Sequence, residues 1–125
     1  MTAVLVISLS RYLGGEPVSN IIDKNWTKHP QEQASRFNSV GFDFDANDIP
    51  TTLKDLEAKI YGQEWDGIMV GWCLRGNPDR TALFEKVVTL STRTMQVRPQ
   101  MKLMFCAGPN DIADATLRNF PVSSV

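Results

Sequence analysis

Four short apolar segments recur along the chain, and each is separated from the next by a longer segment with a different apolar spacing. Residues 3–9 and 67–73 are apolar at successive positions, a pattern typical of central strands that are covered on both faces. At residues 41–46 two phenylalanines alternate with two aspartates, which predicts an edge strand with one buried face. Residues 102–106 form the fourth predicted strand.

Between the strands, apolar residues recur at the three- and four-residue spacing of amphipathic helices. Thr51 or Thr52 can cap the third of these helices, and Asp111 followed by Asp114 resembles a capping pair for the last. The predicted helices cover residues 17–26, 30–39, 52–63 and 80–96, and a final helix begins at Asn110 or Asp111.

Strands that alternate with helices predict an α/β domain built on a parallel sheet. We expect residues 1–125 to form one three-layer domain, since this length fits a single domain. Crossovers between parallel strands are right-handed, which favours the strand order 2-1-3-4. Such a sheet is similar to a flavodoxin-like or receiver-like sheet that lacks its fifth strand. The fourth strand is then an open edge, and because open edges are usually covered or paired, a homodimer is one predicted arrangement.

Charge and apolar content exclude several classes of partner. The net charge is −1 and no basic block occurs, so neither nucleic acid nor an anionic membrane surface is a predicted partner. The longest apolar run, residues 4–7, is far too short to span a bilayer, and its flanks do not predict a signal peptide. The two cysteines lie far apart and do not predict a disulfide scaffold, so a cytoplasmic location is expected.

Ligands of open parallel sheets bind beyond the carboxyl ends of the strands, at the point where the strand order reverses. In the predicted sheet this point lies between strands one and three. The residues that follow strands one, three and four are therefore the candidates. They are Ser8, Ser10, Arg11, Trp72, Arg75 and Asn110 for ligand binding, and Cys73 and Asp111 for acid–base chemistry.

Residues 71–78 form the least ordinary stretch, because they leave a buried strand and enter a helix through glycine, asparagine and proline. Arg75 and Arg80 near a helix start can hold a phosphate or a carboxylate, since free N–H groups and guanidinium groups both bind anions. In the alternative interpretation Trp72 packs in the core and both arginines are solvated. A third interpretation makes this stretch a contact for another protein.

Cys73 and Cys106 end neighbouring strands of the predicted sheet, and neighbouring strands lie about 4.8 Å apart. A redox pair is therefore one interpretation, and two small buried residues are the other. His29 is the only histidine, so any cysteine–histidine or serine–histidine catalytic pair would have to use it, but we expect it on the surface. One histidine and scattered cysteines do not predict a metal site.

Several familiar motifs are missing from the sequence. No G-x-G-x-x-G follows the first strand and no Walker loop occurs, so no cofactor is identified. The acidic run that begins at Asp43 lacks the glycine and glutamate of a calcium loop. A phosphorelay receiver needs acidic residues after strand one and at the end of strand three, where this chain has Ser8, Ser10 and Cys73.

A set of short motifs lies roughly between residues 41 and 120: Trp65-Asp66-Gly67, Val70-Gly71-Trp72, Arg75-Gly76, Leu83-Phe84-Glu85 and Gly108-Pro109-Asn110-Asp111. Together they resemble a group of short, uncharacterised microbial α/β proteins. The resemblance implies an α/β fold and carries no activity over to this chain.

Three functions follow as hypotheses. The first is binding of a small anionic or polar ligand at the strand ends, with acid–base chemistry by Cys73 or Asp111 as an extension. The second is a non-catalytic, homodimeric interaction module. The third is a thiol-redox protein that uses Cys73 and Cys106. We favour the first, and the sequence leaves open whether the protein is an enzyme.

Overall fold

Four parallel strands form the central sheet. In the computed structural model, which describes residues 1–121, the strands are β1 (Thr2–Ser8), β2 (Phe37–Asp43), β3 (Gly67–Val70) and β4 (Lys102–Phe105). They lie in the order β2-β1-β3-β4, and each neighbouring pair is parallel. The predicted α/β class, parallel sheet and strand order are therefore confirmed.

Helices connect the strands. Within residues 1–121 they are α1 (Val18–Trp26), α2 (Gln31–Ala34), α3 (Ile49–Tyr61), α4 (Trp72–Arg75), α5 (Thr81–Thr92) and α6 (Ile112–Asn119). Short 3-10 turns at Ser10–Leu13, Pro78–Arg80 and Arg93–Gln96 complete the connections. None of the helices in this part of the chain is long and apolar enough to cross a membrane.

The sheet is the middle of three layers because its central strands are apolar on both faces. Along β1, Val4 and Val6 point to one face and Leu5 and Ile7 to the other, and all four are buried. Helices α1 and α6 pack on the first face, and α3 and α5 pack on the second. Each fully buried aliphatic side chain stabilises the fold by about 1.5–3 kcal/mol, so both helical layers are needed.

The segment around β2 differs from its prediction. The sequence predicts a helix over residues 30–39 and a strand over 41–46, but α2 ends at Ala34 and β2 begins at Phe37. Long-range contacts explain the difference, because β2 pairs with β1 along its whole length, from Thr2↔Phe37 to Ser8↔Asp43. Phe37 also stacks on Trp26, with ring centroids 5.3 Å apart. Tertiary pairing thus overrides the local helical spacing.

Two other predicted boundaries are wrong. Helix α3 begins at Ile49 rather than at Thr52, since Pro50 is tolerated in a first turn, where its missing N–H needs no partner. Thr52 is buried and donates its hydroxyl to the Asp48 carbonyl at 2.7 Å, so it does not cap the helix. Strand β3 ends at Val70, and Cys73, its predicted last residue, lies in α4.

Gly71 holds the end of β3 against β1. Its N–H donates to the Ile7 carbonyl at 2.8 Å, and a Cβ built on Gly71 would lie 2.8 Å from the same oxygen. Because that neighbour is backbone, a side chain at Gly71 forces the two strand ends apart. This close approach places α4 directly above the carboxyl ends of β1 and β3.

We expect Gly71→Ala to lower the free energy of unfolding by about 1–3 kcal/mol, the usual range for forcing extra atoms into a packed site. Urea denaturation measures the change. Gly108→Ala is the matched control, because a Cβ at Gly108 meets no atom within 4 Å, and it should change stability by less than about 0.5 kcal/mol. Equal losses in the two variants would contradict the close approach at Gly71.

Candidate functional site

A cleft of about 320 Å³ opens at the carboxyl ends of the strands. It lies over β1 and β3, where the strand order reverses, and between α1 and α6. Its walls are largely apolar and come from Val6, Leu13, Val18, Ile21, Trp72 and Ile112. Its polar side chains are those of Ser8, Ser10, Cys73 and Cys106.

The structure brings part of the predicted site together. The rule that ligands bind at strand ends led to residues after strands one, three and four, and the cleft is built at that place. Ser8, Ser10, Trp72 and Cys73 line it, whereas Arg11, Arg75, Asn110 and Asp111 lie outside its lining.

A chain of hydrogen bonds crosses the floor of the cleft. Because β1 ends at Ser8, the next two backbone N–H groups find side-chain partners instead of strand partners. The Ser10 N–H donates to Ser8 Oγ at 3.1 Å, and the Leu9 N–H donates to Cys73 Sγ at 3.2 Å. Ser8 Oγ and Cys73 Sγ lie 3.5 Å apart. These contacts tie α4 to the end of β1 and fix the Cys73 sulfur at the floor.

The second thiol of the cleft is deeper. Cys106 follows β4, is 2% exposed and lies with its Sγ 3.8 Å from the Val70 carbonyl, to which it donates. Burial raises the pKa of the Cys106 thiol, since an apolar environment disfavours the thiolate. A hydrogen bond from the Trp72 N–H lowers this pKa in part. The negative charges that Asp111 and Cys73 can carry raise it. Cys106 is therefore a protonated thiol at neutral pH.

Two apolar side chains flank the mouth of the cleft. Leu13 is 51% exposed and projects from the turn between Ser10 and Glu16, which is closed by a hydrogen bond of 2.9 Å from Ser10 Oγ to the Glu16 carbonyl. Trp72 also lines the cleft and is 45% exposed, so the interpretation in which Trp72 packs in the core is wrong. The indole rests on Gly76, where a Cβ would collide with its ring.

The two arginines of the predicted site have partners within the protein. Arg11 lies 3.8 Å from the Asp43 carboxylate, whose other oxygen accepts the Val18 N–H at 2.8 Å. Arg75 lies over the rings of Trp72 and Phe105, 5.4 and 5.5 Å from their centroids. Its Nη2 donates to the carbonyl of Cys106 at 3.1 Å. Arg75 therefore packs behind the tryptophan that flanks the mouth.

Asp111 is engaged at the start of α6. Its carboxylate binds the Arg118 guanidinium at 2.8 and 3.0 Å and accepts the Ala107 N–H at 2.8 Å. The hydrogen bonds from Arg118 lower the pKa of Asp111, so this carboxylate stays ionised at neutral pH and is not a proton donor. No side-chain bond from Asp111 caps the helix, so the predicted capping pair with Asp114 is wrong. Asn110, beside it, is exposed.

Asn25, which is not among the predicted site residues, caps α6 in place of Asp111. Its Oδ1 accepts the N–H groups of Ile112 at 2.9 Å and Ala113 at 3.3 Å. Its Nδ2 donates to the carbonyls of Ile21 at 2.8 Å and Pro109 at 2.9 Å. The side chain is 4% exposed, and both of its donors and its acceptor oxygen are engaged. It thereby joins α1 and α6, which form two walls of the cleft. Its position on the buried stripe of α1 was the sequence signal that could have revealed it.

His29 takes no part in the cleft. It is half-buried rather than exposed, with Nε2 3.3 Å from the Asp114 carboxylate and its ring edge-on to Trp26. It is not placed to act as a base for Cys73 or Ser8. Among residues 1–121, no group of three or more histidine, cysteine, aspartate or glutamate side chains can hold a metal ion.

The chain matches no protein-family model, and neither the curated proteins nor the solved structures compared with it give a match. The resemblance to short microbial proteins stays a prediction. The chemistry of the cleft is therefore the basis for assigning a function.

We expect Asn25→Ala to lower the free energy of unfolding by about 1–3 kcal/mol for each buried group that is left without a partner. Asn25→Asp keeps the acceptor for α6 but sets a carboxylate oxygen against the carbonyls of Ile21 and Pro109. It should regain stability relative to wild type on acidification, because a protonated carboxyl can donate. Urea denaturation at neutral pH and at about pH 4 measures both effects. Wild-type stability in either variant would contradict the role of Asn25 in joining α1 to α6.

We expect Asp111→Asn to be less stable than wild type at neutral pH by about 1 kcal/mol or less, because Arg118 is half exposed and solvent weakens the pair. The pKa of Asp111 is lower in the folded state than in the unfolded state. The ion pair therefore contributes its full stabilisation above the unfolded pKa of about 3.9, and this stabilisation is lost as the pH falls through the folded pKa. The difference between variant and wild type should thus shrink below about pH 3.9. Asp55→Asn, at an exposed position, is the control, and a pH-independent difference for Asp111→Asn would contradict the assignment.

Proposed function

We propose that the protein binds a small molecule with an apolar body and a polar or anionic end in the strand-end cleft. The observation that carries the proposal is the combination of apolar walls, four polar side chains and a location at the reversal of strand order. Ligand pockets are generally concave, mostly apolar and equipped with a few polar groups that orient the ligand. The homodimer hypothesis does not account for this combination.

The size of the cleft limits the ligand. A volume of about 320 Å³ is at the lower end of the range of roughly 300–1,000 Å³ for small-molecule sites. One or two rings, or an aliphatic chain of comparable volume, fit this space. Leu13 and Trp72 at the mouth can cover such a ligand, and burial of its apolar surface contributes about 25 cal/mol per Å².

The polar atoms suggest how the ligand is oriented. Ser10 Oγ donates to the Glu16 carbonyl and keeps its acceptor lone pairs, whereas Ser8 Oγ accepts the Ser10 N–H and also lies 3.5 Å from Cys73 Sγ. Positive charge is available from Arg75, which is stacked on Trp72 at the edge of the mouth. This charge suits a ligand whose outer end is anionic, as the anion-binding hypothesis expects. The proposal is for binding rather than catalysis, since Asp111 is held in an ion pair.

The homodimer hypothesis receives less support from the edge of the sheet. β4 is an edge strand, and unpaired backbone groups on an edge can pair with a second chain. At its carboxyl end, however, the Phe105 carbonyl accepts from Arg118 Nη2 at 3.3 Å and the Cys106 carbonyl accepts from Arg75 Nη2 at 3.1 Å. Charged side chains on an edge are a common protection against such pairing.

A thermal-shift screen tests the proposal with nucleotides, sugar phosphates, carboxylates and flavins as probes. A ligand at a hundredfold excess over its Kd stabilises the native state by about 2.7 kcal/mol and raises the Tm by several degrees. Gly108→Leu should abolish this shift, because Gly108 lines the cleft and has open space beside it into which a side chain can extend. Ala107→Leu is the matched control, at an exposed neighbouring position outside the lining, and should keep the shift.

Arg75→Ala separates the two parts of the proposal. It should weaken the binding of anionic probes and leave neutral probes unaffected. If no probe stabilises the wild-type protein, and its mass in solution rises with protein concentration, ligand binding is contradicted and the homodimeric module is favoured. A shift that Gly108→Leu retains would show that the ligand binds elsewhere.

A further inference from the structure

Two thiols share the strand-end cleft. Cys73 lies in the single turn of α4, Cys106 directly follows β4, and both line the cleft as free cysteines. They differ in access, since Cys73 is half-buried whereas Cys106 is 2% exposed. A small reagent inside the cleft therefore reaches Cys73 more readily than Cys106.

The two sulfurs lie against neighbouring strands. Cys73 Sγ accepts the Leu9 N–H just beyond β1, and Cys106 Sγ donates to the Val70 carbonyl at the end of β3. β3 and β4 pair as far as Val70↔Phe105, so Cys106 follows this last pair by one position and Cys73 follows it by three, at the ends of neighbouring strands about 4.8 Å apart. A disulfide requires Cα atoms within about 7 Å and sulfurs about 2 Å apart. Disulfide formation therefore requires the Cys73 side chain to leave Leu9 and turn into the cleft that both cysteines line.

We propose that Cys73 and Cys106 form a dithiol–disulfide site that reacts with small-molecule disulfides. The Cys73 thiolate attacks one sulfur of the small disulfide, whose S–S bond breaks, and the other half leaves as a thiolate. The Cys106 thiolate then attacks Cys73 Sγ, the protein disulfide forms, and the second half leaves. The small disulfide is reduced to two thiols, which take up the two protons lost by the cysteines. This inference goes beyond ligand binding and does not depend on it.

Burial sets the order of the two steps. Burial raises the pKa of Cys106, and the charges of Asp111 and Cys73 add to this, while Arg75 and Arg118 bring positive charge to the same end of β4. A thiol that is mostly protonated attacks slowly at neutral pH. Cys73 reacts first because it is the more exposed thiol, and the attack by Cys106 becomes about tenfold faster for each pH unit as the thiolate fraction of Cys106 rises.

Intact-mass spectrometry of the native protein with oxidised glutathione or hydroxyethyl disulfide tests the proposal. Wild-type protein should first gain one half of the reagent and then lose it, with a net loss of two hydrogens. Cys106→Ser should stop at the adduct. Cys73→Ser should react at least about tenfold more slowly than wild type, because its remaining thiol is buried.

The controls separate burial from misfolding. In urea both single variants should react at similar rates, and a cooperative thermal transition confirms that each is folded without urea. A persistent adduct on wild-type protein would overturn the proposal, since it would mean that the two sulfurs do not meet. Equal native-state rates for the two variants would overturn the order of the steps. A second step that does not accelerate with pH would overturn the attack by the Cys106 thiolate.

Discussion

The architecture depends on the burial of β1 on both of its faces and along both of its edges. β1 pairs in parallel with β2 on one side and with β3 on the other, and its residues from Val4 to Ile7 are almost inaccessible to solvent. Parallel neighbours need crossover connections, so the chain leaves β1 through α1 over one face and returns from β2 through α3 over the other. The connections that follow the neighbouring strands β1 and β3 leave over opposite faces, through α1 and α5, and this divergence opens the cleft.

Most polar groups around this opening are already satisfied by the protein. Asn25 takes the first N–H groups of α6, and Asp43 takes the first N–H of α1 and lies near Arg11. Helix N-termini that can hold an anion in parallel-sheet proteins are thus occupied by side chains. Apolar walls, two serine hydroxyls and two thiols remain, so the proposed ligand would be held mainly by apolar burial, and charge would act only at the rim.

The sheet could be predicted because short runs such as residues 4–7 and 67–70, apolar on both faces, fit a covered parallel strand. The start of β2 could not, because pairing with β1 and stacking of Phe37 on Trp26 decide it from a distance. The strand-end rule named Ser8, Ser10, Trp72 and Cys73, which the structure places in the lining of the cleft. It could not show that Asp111 is held by Arg118, or that Asn25 caps a helix 87 residues away, because no local pattern specifies such partners.

The proposed ligand binding and the proposed thiol exchange are coupled because they use the same floor of the cleft. A disulfide to Cys106 takes the Cys73 sulfur away from Leu9 and Ser8, and so changes the surface that a ligand contacts. A ligand that fits the dithiol floor then binds the reduced form more tightly than the oxidised form. Linkage requires the reverse effect to be equal, so the same ligand stabilises the dithiol against oxidation by the same factor. This reciprocity is the property that distinguishes one shared site from two unrelated features of a small domain.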